Sequence, residues 1–184
     1  MSIEERGKAL EEAFFAKKNR ELLEQVKIDL DTETQRDALK AATGVTADTV
    51  LDSLIGIGVN SESLAALAIA PMILVAWADG SISDKEREAV VSAAEKAGVE
   101  ADSTASKLLS SWLEEKPSDE LADTWKEYVG AVKLKLPAGD QVKLGEQILA
   151  RCQTVAESAG GFLGLGSISA KETALLEMLK STLK

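Results

Sequence analysis

The ionisable residues of this chain that could do chemistry near neutral pH are dominated by carboxylates. Of its 184 residues, 31 are Asp or Glu, none is His, and a single one, Cys152, is Cys. Without imidazole there is no Ser/His or Cys/His pair, no ordinary general base near neutral pH and no His-based metal site. One thiol allows neither an internal disulfide nor a Cys-rich zinc or iron–sulfur centre. Cys152 also falls on the apolar stripe of a helical pattern, the place of an inert core thiol. Oxygen ligands remain, and these suit Ca²⁺ or Mg²⁺ better than Zn²⁺. Adjacent acidic pairs such as Glu11-Glu12 and Glu114-Glu115 point apart on a helix, so they do not make a glycosidase-type pair.

Three carboxylates stand out by position: Asp79, Glu86 and Glu172. Two segments repeat one another, Gly80-Ser81-Ile82-Ser83-Asp84-Lys85-Glu86 and Gly166-Ser167-Ile168-Ser169-Ala170-Lys171-Glu172, sharing Gly-Ser-Ile-Ser-x-Lys-Glu. In each, Ser followed three residues later by Glu is the spacing of a capping box: the Ser hydroxyl accepts the N3 amide while the carboxylate accepts the N-cap amide. Both segments therefore read as helix starts. Asp79 breaks a local rule, because it places negative charge after the C-terminal end of a helix, where the macrodipole disfavours it. Two compensations are open: an Asx-type lock on the Gly80–Ile82 turn, or a divalent cation shared with nearby carboxylates. An EF-hand is excluded, since its first and third ligand positions would be Val75 and Trp77.

The elements that must position these residues are helical. Apolar residues recur at three, four and seven almost throughout, and hairpin turns between alternating β-branched runs are missing. A charged helix is expected from Glu4 to about Leu30, bending near Lys17 to Arg20. A second should open at Thr32 as N-cap and stop at Gly44; a third is capped by Thr46 and reaches Ile55. The turn-rich run Gly56, Gly58, Asn60 and Ser61 separates an N-terminal helical module, residues 1–58, from a helical bundle over residues 59–184. Glu62 to Asp79, apolar on nearly all sides, reads as a central helix kinked near Pro71. Further helices are expected over Asp84–Ala97, Thr104–Glu115, Glu120–Leu136, Asp140–Ala159 and Ala170–Leu183. Trp77, Trp112 and Trp125 sit on core stripes. The glycine-rich run from Gly160 to Gly166 has neither a leading strand nor a following Gly-Lys-Ser/Thr, so it reads as an interhelix connection, not a nucleotide loop.

Apolar residues make up 45% of the chain and charged ones 28%, the balance of a globular protein that builds its own core. A formal charge of −10 repels phosphate backbones, and Lys17, Lys18 and Arg20 are too short a basic run to bind nucleic acid. The longest apolar stretch, Leu64 to Ala78, contains Pro71 and is too short to span a bilayer. The acidic, polar Met1–Arg6 start lacks the pattern of a secretory signal, so a cytoplasmic location is expected.

Ala76-Trp77-Ala78-Asp79-Gly80-Ser81-Ile82 through Glu86 resembles the Ala-x-Ala-Asp-Gly-x-Ile-x-x-x-Glu signature of the tellurite-resistance TerB-like family. Gly164 to Glu172 resembles that family's later helix start. The likeness covers residues 61–184 and leaves the first 60 unassigned. It implies an all-α bundle of two pseudo-repeated halves, linked to stress response, with Asp79, Glu86 and, more weakly, Glu172 as candidate metal-binding residues. The chain departs from the family's co-chaperone members, whose J-domain carries His-Pro-Asp, because it has no His. The expected function is a non-enzymatic helical interaction module with a protein partner, a second copy of the chain being one candidate. The alternatives are a divalent-cation binder or sensor at the Asp79/Glu86 corner and a hydrolase working with carboxylates alone. No cofactor is expected beyond that cation.

Overall fold

The computed structural model describes residues 17–18, 30–159 and 168–184, which are helical or connecting, with no strand among them. The protein is all-α. Helix α1 is already formed at residue 30 and runs through 43. It ends at Gly44, whose φ of +67° is left-handed and whose amide donates to the Lys40 carbonyl at 2.8 Å, a glycine C-terminal stop.

The expected start at Thr32 is corrected. Gln35 donates its side-chain amide to Asp31 at 2.9 Å, and the Thr34 hydroxyl donates to the Leu30 carbonyl at 2.9 Å, both bonds across one turn of a continuing helix. The Thr32/Gln35 spacing occurs inside a helix here, not at its start. Of the expected Glu4–Leu30 helix, Lys17 and Lys18 are helical; the bend and the rest lie outside the described residues.

Helix α2 (Asp48–Gly56) is likewise not capped by Thr46: its N-cap is Ala47, with no side-chain bond, and Asp48 supplies negative charge in the first turn. Gly58, at φ +83°, then turns the chain. Asn60 Oδ1 accepts the amides of Glu62 and Ser63 at 3.0 and 2.9 Å.

The single helix expected over Glu62–Asp79 is two pieces, a short 3₁₀ helix Leu64–Ala68 and helix α3 (Ala70–Ala76). The reason is Pro71. In a continuous α-helix its ring would clash with the Leu67 carbonyl and leave it without a donor, whereas in the first turn of a new helix no donor is needed. Six of the seven α3 residues are buried, which makes it the centre of the fold.

Around α3 stand α4 (Asp84–Lys96), α5 (Thr104–Glu114), α6 (Glu120–Lys133), α7 (Ala138–Ala159) and α8 (Ala170–Leu183), each in contact with it. Helix α7, at 22 residues about 33 Å long, supports α3, α4 and α8 together. At Gly145 it comes so close to α8 that a Cβ would lie 3.3 Å from the Leu183 carbonyl oxygen. Leu39, Leu51 and Leu54 from α1 and α2 belong to the same apolar core as Met72, Ile73, Trp125 and Leu179. No helix among the described residues is long and apolar enough to cross a membrane.

Candidate functional site

The repeated segments are two copies of one device. At the first, the Ser83 amide donates to Glu86 Oε2 at 2.7 Å and the Glu86 amide to Ser83 Oγ at 3.3 Å. At the second, the corresponding distances for Ser169 and Glu172 are 2.6 and 3.2 Å. Both capping boxes are complete, and the chain enters α4 and α8 with the Glu side chains 4% and 5% exposed. Each box satisfies two amides that a helix start otherwise leaves unbonded.

Asp79 sits on the exposed turn that leads into the first box. Its Oδ1 accepts the Ser81 amide at 3.0 Å and the Ser81 hydroxyl at 3.4 Å, while Gly80, at φ +102°, donates its amide to the Trp77 carbonyl at 3.0 Å. This is the Asx-type lock, one of the two compensations open for Asp79. Each of the three candidate carboxylates thus has a hydrogen-bonding role within its own corner. Among the described residues no three Asp, Glu or Cys side chains converge as a set of metal ligands.

What the first corner positions is the end of α5. The last carbonyls of a helix have no partner within it. Two of those on α5 are met by side chains from outside: Trp77 Nε1 donates to the Trp112 carbonyl at 2.8 Å, and Arg87 Nη2 to the Leu113 carbonyl at 2.9 Å. The guanidinium also complements the negative end of the α5 dipole. With its one polar atom used, the Trp77 ring presents only apolar surface, and it is half-buried, unlike the buried Trp112 and Trp125.

That ring forms part of the wall of a surface groove of about 450 Å³ between α3, the α5–α6 connection and α8. Leu74, Ala122, Leu175 and Met178 continue the apolar lining, and Lys116, Asp119 and Lys171 supply its charges. Sequence periodicity placed Leu74 and Trp77 on a core stripe but gave no sign that Lys116 and Lys171 meet across one cleft.

A second concavity, between α2 and α6, is lined by Asp52, Glu120, Asp123 and Glu127. Two of the four carboxylates are already paired: Asp52 holds Arg36 through two hydrogen bonds, and Asp123 lies 3.0 Å from Lys126. The hydrogen bond to Asp52 is the main cause of the raised Arg36 pKa. Cys152 is fully buried on α7, and burial pushes its thiol up to about 12, so it stays protonated and unreactive at neutral pH. The glycine-rich run from Gly160 to Gly166, expected as an interhelix connection, lies outside the described residues.

The chain matches no protein-family model, no curated protein and no solved structure.

Proposed function

We propose that this chain is a non-enzymatic helical interaction module, holding a protein partner in the groove between α3, the α5–α6 connection and α8. The observation that carries the proposal is the lining of that groove, where a half-buried aromatic ring, a Met and two Leu side chains line one depression at the surface. Binding energy at protein interfaces concentrates on such aromatic and Met anchors in apolar depressions. The likeness of the Asp79–Glu86 segment to the TerB-like signature supports a stress-response setting. The matching capping boxes support reading residues 59–184 as two related halves.

A photo-crosslinking residue in place of exposed Ala174, on the groove, is compared with one at exposed Gln153, on α7 away from it. In cells, the groove position is expected to capture a defined protein and the α7 position not to. Capture should persist in chelator and be lost when Ala122→Trp fills the groove. Equal capture from both positions, or from neither, overturns the proposal.

A further inference from the structure

We infer that the segment held in this groove is an acidic amphipathic helix; the inference rests on the groove reading above and adds the charge and conformation of the occupant. The charge comes from a local reversal of sign. The whole chain carries −10, yet the groove is lined by two lysines against one carboxylate, Lys116 and Lys171 against Asp119. Neither ammonium is in an ion pair or a hydrogen bond with another described residue.

Lys171 is also misplaced by the rules of its own helix. It occupies the second position of α8, where the exposed amides favour an anion and disfavour a cation. The neighbouring carboxylate, Glu172, is buried and turned back onto the Ser169 amide, so it does not neutralise Lys171. A carboxylate brought in by a partner beside the first turn of α8 would meet the ammonium and the positive end of the helix together.

The conformation follows from what the groove lacks. An extended peptide gains affinity by adding to a sheet edge, and no strand is present among the described residues. A cleft bounded by helices instead takes a helix, which carries its own backbone hydrogen bonds and inserts side chains at i, i+3 or i+4, and i+7. A cavity of about 450 Å³ accepts about two to three large apolar side chains at protein packing density. Those positions span about 10 Å along a helix.

Three synthetic peptides test this, each with Leu at i, i+4 and i+7 and with flanking positions all Glu, all Lys or all Gln. Trp77 reports binding through its emission, because Trp112 and Trp125 are buried. The Glu peptide is expected to bind roughly tenfold more tightly than the Lys peptide at low salt, with the gap closing as salt screens it. It should gain helicity on binding. In the Lys116→Glu/Lys171→Glu protein, whose two altered positions are exposed and whose fold is checked by circular dichroism, the order of the peptides should invert. Equal binding of the Glu and Lys peptides overturns the acidic partner and leaves the groove reading standing. Binding without helicity overturns the helix. Failure of all three peptides, or binding untouched by Ala122→Trp, overturns the groove reading as well.

Discussion

The corner at Ser83 and the corner at Ser169 are built from the same residues with the same four hydrogen-bond roles, yet their outer faces do different things. One turn into α4, Arg87 reaches across to the Leu113 carbonyl at 2.9 Å and ties the helix to α5. At the equivalent place in α8 stands Thr173, whose hydroxyl folds back to the Ser169 carbonyl at 3.0 Å. The Lys of the repeat diverges too: Lys171 lines the groove, while Lys85 does not. A capping box fixes where a helix begins and which way its first turn faces. It leaves open whether that turn is spent on the fold or on a partner; here the first copy is spent on the fold, and the second is the one proposed to face a partner.

Removing both caps separates the two most strongly. Ser83→Ala with Glu86→Ala should cost about 2 to 3 kcal/mol, since two bonds go and the first turn that presents Arg87 loosens. Ser169→Ala with Glu172→Ala should cost about 1 to 2 kcal/mol, the cap alone. Urea midpoints at unchanged slope measure both, and equal losses would show that the first corner supports nothing beyond its own helix. A smaller effect isolates the tether. Arg87→Met, which keeps most of the half-buried side chain's apolar length, should cost about 1 kcal/mol by leaving the Leu113 carbonyl unbonded. Thr173→Ala, at an exposed position, should stay within about 0.5 kcal/mol.

The comparison also shows where the sequence could be read and where it could not. Ala170–Leu183 and the Asp84 start of α4 were legible because Ser-x-x-Glu is a local device, complete within four residues. Gly44, and Gly98 just after the expected Asp84–Ala97 helix, were legible as stops because their left-handed conformations, φ +67° and +85°, favour glycine. Thr32 and Thr46 misled for the opposite reason. Their types and spacings permit a cap, but α1 continues past the first, and α2 begins at Asp48 with Ala47 as its N-cap and its N-terminus supported by the Asp48 charge. At Pro71 the kink became a full break, because the chain could pass through a 3₁₀ turn and restart with proline in the first turn. The groove was not legible at all. Lys116 comes from the α5–α6 connection and Lys171 from the first turn of α8, and they line one groove only through the packing of these elements around α3. Trp77 looked like any core aromatic because periodicity says which stripe a residue occupies, not whether a neighbour covers it.

The smallest expected effect bears on a further residue the two corners do not share: Asp79 precedes the first box, and Leu165 holds its place before the second. Two opposed terms act on Asp79. Its carboxylate accepts the Ser81 amide, which stabilises the turn, and it carries negative charge beyond the C-terminal end of α3, which destabilises it. Asp79→Asn keeps the acceptor and removes the charge, so its melting temperature should lie slightly above wild type, by the equivalent of about 0.3 to 0.5 kcal/mol. Asp79→Ala removes both terms and should fall at or just below wild type. Under the turn lock, neither Ca²⁺ nor chelator changes this order. A cation shared by Asp79 and Glu86 would behave differently, because a ligand bound only by the native state raises its stability with concentration. A Ca²⁺-dependent rise in wild type that Asp79→Asn abolishes would therefore replace the lock with a cation site, and would make the first corner a binding element as the second is proposed to be.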